Sequence, residues 1–261
     1  MNISLNGKYA VICGSSQGIG LATAKEMALN GANCILIARN PVVLAGAVKQ
    51  LAKEGDQVHQ WMAADFSDPQ MVEKTIKSIV GKYRIEILVN NTGGPKASPI
   101  LDATTDAFEL AFKQHIICNQ ILARTVVPGM KEAGYGRIIN IISTSVKTPL
   151  AGLGVSNTIR LAVAAWSKTL SNEIGQFNIT VNNILPGLTE TQRLDELVKH
   201  TADSSKREVD AVEKQLIESV PMKRFGKPEE IANVIAFLAS PAASYVNGVN
   251  IAVDGGRTPA L

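Results

Sequence analysis

Seven short apolar runs punctuate the chain: YAVIC at 9–13, NCILIA at 33–38, VHQWMAA at 58–64, EILVNN at 86–91, RIINII at 137–142, ITVNNIL at 179–185 and VNIAVD at 249–254. They are apolar at consecutive positions instead of alternate ones, the pattern of strands covered on both faces. Between them the apolar positions fall at a period near 3.6. Ala22, Met27 and Ala28 precede the stop Asn30-Gly31, Ile231, Val234, Ile235 and Leu238 precede Ser240-Pro241, and Asp68-Pro69 opens a further helix with proline in its first turn. This alternation predicts an α/β fold, one doubly wound parallel sheet of about seven strands with helices on both faces. No linker, internal repeat or low-complexity tract interrupts it, so residues 1–261 are read as a single domain.

Composition narrows the function by exclusion. With 46% hydrophobic and 19% charged residues, the chain has ample material for a core and no disordered signature. The net charge of +3 comes from 26 basic and 23 acidic residues, and the densest mixed stretch, Lys199 to Glu218, carries both signs, as a solvated face does and a nucleic-acid groove does not. Cys13, Cys34 and Cys118 lack metal-ligand or redox spacing and are expected to be reduced and buried. A strand-like run begins by Lys8, and no apolar run approaches ~18 residues, so a cytoplasmic protein with no membrane partner is expected.

The first run is followed by Gly14-Ser15-Ser16-Gln17-Gly18-Ile19-Gly20 and then a helix. Glycines at a strand-to-helix turn let the backbone approach a diphosphate, which the helix amides and dipole receive. The second run ends in Ala38-Arg39-Asn40, where the adenosine ribose of a dinucleotide lies in this topology. No acid is present there to hold the ribose hydroxyls, and Arg39 suits a 2′-phosphate, so NADP is expected over NAD.

Taken in order, Gly14-x-x-x-Gly18-x-Gly20, Asp65, Asn90-Asn91-Thr92-Gly93, Ser143, Pro186-Gly187, Pro221 to Glu230 and Val253-Asp254-Gly255-Gly256 resemble the short-chain dehydrogenase/reductase family, over essentially the whole length. The resemblance implies a single Rossmann-type domain, often oligomeric, that binds NAD or NADP and interconverts small alcohols and carbonyls. It implies that Asp65 bonds the adenine amino group, that Asn91 and Gly93 line the adenosine ribose, and that Thr189 reaches the nicotinamide carboxamide. The segment from Leu188 to Val220 would form the substrate lid, and its apolar pattern is Leu194, Leu197, Val198, Val209, Val212 and Leu216. Thr92 stands where the family usually has alanine.

Catalysis in that family uses an asparagine, a serine, a tyrosine and, four residues after the tyrosine, a lysine. The serine position falls on Ser143, but the tyrosine position holds Ser156, the lysine position Arg160 and the asparagine position His115. Arg160 can keep a ribose contact, since i and i+4 share a helix face, but a guanidinium with a pKa above ~12 is a poor proton relay. A serine hydroxyl is a weak acid without a tyrosine's reach. Two substitutes present themselves. Lys147, four residues past Ser143, belongs to a loop expected to overhang the nicotinamide, and His115 has an ordinary pKa near neutrality. Bulk water is a third proton source.

The leading expectation is therefore an NADP-dependent oxidoreductase with an atypical proton donor, acting on a small carbonyl or alcohol. Two alternatives stand beside it: a cofactor-binding protein of the same fold without turnover, and a non-redox enzyme using Ser143 and Lys147. Segments 107–133 and 155–177 hold more apolar and small residues than a one-sided surface helix needs, so a homo-oligomer, dimer or tetramer, is also expected.

Overall fold

A computed structural model describes residues 1–260. Its seven strands are β1 (Tyr9–Cys13), β2 (Asn33–Ala38), β3 (Gln60–Ala63), β4 (Ile87–Asn90), β5 (Gly136–Ile141), β6 (Ile179–Pro186) and β7 (Asn250–Val253). They form one sheet in the order β3-β2-β1-β4-β5-β6-β7, and every neighbouring pair is parallel. The order reverses between β1 and β4, which opens a crevice at their carboxyl ends. The longer helices are α1 (Gly18–Leu29), α2 (Pro41–Val48), α3 (Pro69–Val80), α4 (Thr105–Phe112), α5 (Cys118–Ala133), α6 (Gly154–Ile174), α7 (Gln192–Ser205), α8 (Val209–Glu218) and α9 (Pro228–Ala239).

Consecutive residues of each central strand feed opposite layers, which explains why the runs read as unbroken. Ala10, Ile12, Cys34 and Leu36 pack with Met27, Leu44, Ile231 and Ile235 of α1, α2 and α9. Val11, Cys13, Ile35 and Ile37 pack with Ile76, Leu122, Val126 and Ile174 of α3, α5 and α6. Each fully buried Ile or Leu contributes about 1.5–3 kcal/mol relative to exposure, so both layers hold the sheet. Asp68 caps α3 by accepting from the amides of Gln70 and Met71, with Pro69 in its first turn. The three cysteines are free and buried, and burial pushes the Cys34 and Cys118 thiols up to about 12.

A polar ladder crosses the second half of this core. Asn90 Nδ2 donates to Asn140 Oδ1, Asn140 Nδ2 to Asn183 Oδ1, and Asn183 Nδ2 to Asn250 Oδ1, each at 2.8 Å. The four residues stand at one level of β4, β5, β6 and β7, so the ladder locks the register of strands whose ends carry Asn91, Ser143 and Gly187.

Candidate active site at the carboxyl ends of the strands

The glycine turn is built by crowding. Gly14 has φ +58°, and a side-chain carbon on it would lie 2.6 Å from the Asn91 carbonyl oxygen; one on Gly20 would collide with the Gly14 carbonyl. Asn91 Nδ2 donates to that carbonyl at 3.1 Å, fastening β4 to the turn. Ser16 and Ile19 are half-buried, Gln17 is exposed, and Gly18 takes φ +55° at the head of α1. The Ser15 hydroxyl has a structural role in the turn. It is fully buried, donating to Ile12 O at 2.7 Å and accepting from Ile37 N at 3.1 Å, which ties the turn to the sheet.

At the end of β2, Arg39 is exposed. Beside it, Asn40 caps α2 through Oδ1, which accepts from Val42 N at 3.0 Å and Val43 N at 3.2 Å, leaving only its amide N–H groups for a ligand. Asp65 is half-buried; the Ser67 amide, with Arg39 adding to the effect, holds its carboxyl below the usual range. At the end of β6, Pro186 closes the strand, the Gly187 amide bonds Val253 O at 3.0 Å, and buried Thr189 donates to Gly187 O at 3.1 Å. Gly93 is exposed, with open space where a side chain would begin.

Thr92, His115 and Arg160, expected from the sequence to be unusual positions, lie in one region. His115 lies in a wide π-helical turn, Lys113–Ile117, between α4 and α5, a geometry that recurs at functional sites. It is buried, its Nδ1 stands 2.6 Å from Thr92 Oγ1, and its Nε2 is buried without a partner. Desolvation, with the charge of Arg160, lowers its pKa well below 6.5, so the imidazole is neutral at pH 7. Arg160 is buried in the second turn of α6, and Nη1 donates to Ile141 O at 2.8 Å. Burial, with Arg193 nearby, brings its pKa down to about 10. That is below the value expected of a guanidinium, but it remains a cation at neutral pH.

Ser143 Oγ accepts from Ser145 N at 3.1 Å, which orients the hydroxyl and keeps its hydrogen for another acceptor. Lys147 ends the single 3₁₀ turn Thr144–Val146 and is half-buried. Ser156 is half-buried in the first turn of α6, four residues before Arg160.

Leu188 to Val220 folds as α7 and α8 over a small core of Leu194, Val198, Ala202, Val212 and Phe225, joined by Leu197 and Leu216. Val209, expected in that stripe, is 42% exposed at the start of α8. Sequence reasoning overlooked the polar ties of this lid. Gln17 donates to Gln192 at 3.0 Å, and Arg193 donates to Pro95 O at 2.8 Å. Both pairs are remote in sequence, and no local pattern marks them. Among the described residues, no helix is long and apolar enough to cross a membrane.

A family model described as Enoyl-(Acyl carrier protein) reductase matches residues 14–258. Dehydrogenase/reductase SDR family member 4 of Oryctolagus cuniculus is 30% identical over 98% of this chain and 96% of its own. The NADPH-dependent reductase BacG of Bacillus subtilis is 30% identical over 98% of this chain and 100% of its own. Among solved structures, L-sorbose reductase from Gluconobacter frateurii, complexed with NADPH and L-sorbose, superposes with a TM-score of 0.93 at 33% identity, covering 100% of both chains.

Proposed function

Because the chain belongs to the short-chain dehydrogenase/reductase family, we propose that it is an NADP-dependent oxidoreductase that interconverts a small carbonyl compound and its alcohol without the family's tyrosine. The observation that carries this reading is the glycine cradle. Gly14 and Gly20 leave no room for a side chain, and the turn they form leads directly into the amides that open α1. A dinucleotide diphosphate would be received at that turn. Exposed Arg39 supplies a fork for the 2′-phosphate, and Asp65 is held ionised for the adenine amino group. NADPH-bound L-sorbose reductase and NADPH-dependent BacG support the same cofactor.

When bound, the nicotinamide supplies or takes up a hydride; the remaining work falls to the chain. The Ser143 hydroxyl, with its oxygen already accepting from Ser145, donates to the substrate oxygen and stabilises negative charge there. Arg160 contributes a fixed cation to the site, anchored on Ile141 O. The proton comes from Lys147, an ammonium on the turn after Ser143. His115 ranks below it, because a buried neutral imidazole has one proton and Thr92 already engages Nδ1. Solvent filling the space of the absent phenol ranks third.

The test is absorbance-monitored NADPH oxidation against a panel of ketones and aldehydes, with NADPH affinity measured separately. A second reading, cofactor binding without turnover, is favoured by Ser156, which brings no titratable group to the tyrosine position. Tight NADPH binding with no carbonyl reduced would select it.

A further inference from the structure

The segment after β4 reads Asn91-Thr92-Gly93-Gly94-Pro95, and Gly94 has a neighbourhood that its sequence does not announce. A side-chain carbon built on Gly94 would lie 3.6 Å from Arg160 Nη2 and 3.8 Å from Arg193 Nη2. Two guanidinium groups, one from α6 and one from α7, thus flank a single bare Cα. Like charges do not converge without cost, and the charge of Arg193 adds to burial in depressing the Arg160 pKa.

Arg160 has no counter-ion among the described residues, and that of Arg193 is exposed. Among the described residues, no carboxylate lies within ion-pair distance of Arg160, which is 8% exposed and makes one hydrogen bond, to a neutral carbonyl. Arg193 holds the Pro95 carbonyl at 2.8 Å, and its ion pair with Glu196, at 3.6 Å, joins two side chains that are more than half exposed. A buried cation left unpaired is unfavourable unless an anion completes it. The unpartnered Nε2 of His115, close enough to feel the Arg160 charge, is a further unfilled polar position in the same region.

We propose that Arg160 and Arg193 form a carboxylate-binding subsite over Gly94, and that the substrate is a small carbonyl compound bearing a carboxylate. The identification of that anion as substrate rests on the oxidoreductase reading above. A planar carboxylate matches two guanidinium forks, and the missing Gly94 side chain leaves its place open. The same contact draws the lid toward the β4–α4 loop, because Arg193 belongs to α7 and reaches Pro95. Arg193 also follows Gln192, which is bonded to Gln17 of the glycine turn, so a cofactor diphosphate is the competing source of negative charge.

Isothermal titration of the full chain with pyruvate and with its neutral analogue pyruvamide, at constant ionic strength and with or without saturating NADP⁺, separates the sources. The expected result is that pyruvate binds at least tenfold more tightly than pyruvamide in both conditions. Arg193→Gln should weaken pyruvate at least tenfold while leaving NADP⁺ affinity within twofold, and Arg193→Lys should retain part of the preference. Equal binding of pyruvate and pyruvamide overturns the subsite. So does displacement of pyruvate by NADP⁺, or a loss of NADP⁺ affinity in Arg193→Gln as large as the loss for pyruvate, since either assigns the arginines to the diphosphate. NADP⁺ binding without pyruvate preference leaves the oxidoreductase reading intact. Pyruvate preference without NADP⁺ binding supports the subsite and removes that reading.

Discussion

Asn140 sits at the centre of the asparagine ladder, and its replacement by leucine isolates the ladder's contribution. Asn140 is 1% exposed, accepts from Asn90 Nδ2 and donates to Asn183 Oδ1, both at 2.8 Å. Leucine has similar bulk, so packing changes little, but two buried polar groups lose their partners. Asn90 suffers most, because its Oδ1 is already buried and unpartnered. At about 1–3 kcal/mol for each orphaned group, the expected loss is about 2–6 kcal/mol. Asn250→Ala removes a bond of the same 2.8 Å length, but Asn250 is exposed on β7, so water replaces the partner for Asn183 in part and the loss should stay near 1 kcal/mol. Urea denaturation at fixed protein concentration, with the slope checked for constancy, measures both. A loss below about 1 kcal/mol in Asn140→Leu, or equal losses in the two variants, would refute the claim that burial makes this ladder structural.

Arg39→Ala should weaken NADPH by about 1–3 kcal/mol and NADH far less, as fluorescence titration would detect; equal losses sink the 2′-phosphate assignment. Below pH 6.5 the unfolded chain protonates His115 while the folded chain keeps it neutral, so stability falls as pH drops through that value. The penalty from this residue grows by at most about 1.4 kcal/mol for each pH unit below that value. His59 is shifted the same way, so the readout is the difference between wild type and His115→Asn, whose stability profile should be flatter by that amount. Lys147→Met should cut turnover on an established substrate at least tenfold without changing NADPH affinity, while Ser156→Ala changes neither; unchanged turnover in Lys147→Met removes the lysine from the mechanism. Leu110, Phe112, Ile117 and Leu161 are exposed on the outer helices, so sedimentation at micromolar concentration should find an oligomer; only 27.8 kDa monomer contradicts it.

The sheet was legible because its five inner strands are buried on both faces. Tyr9–Cys13 and Asn33–Ala38 form strands over the same residues as their apolar runs, and the other five lie within or beside theirs. The third run, VHQWMAA, is the least faithful: only Gln60–Ala63 pairs, on the edge, where Trp61 is 38% exposed and packing constrains the ends less. The glycine-rich string does not tell which of its residues also tie the turn to the sheet, as the Ser15 hydroxyl does between β1 and β2. The π-helical turn left no trace in a periodic pattern, because five residues with helical composition fit either winding. Arg193 was hidden for a different reason. Its partners Pro95 and Gly94 are almost a hundred residues away, and only the closure of α7 over the sheet brings them together.

Those long-range contacts bear on whether the altered site is a working one. Taken singly, the histidine at 115 would bury an imidazole with both nitrogens unserved, and the threonine at 92 would bring a hydroxyl into a half-buried place that an alanine fills without polarity. Together they satisfy each other at 2.6 Å. Arginine at 160 is longer than lysine, yet its guanidinium finds Ile141 O and lies beside the glycine that leaves it space. Here the neighbouring positions form connected contacts, with His115 Nε2 buried without a partner and two guanidinium groups meeting over Gly94. A convergence of two cations beside a buried nitrogen without a partner is what an anionic ligand would complete, and it supports the carboxylate subsite proposed above.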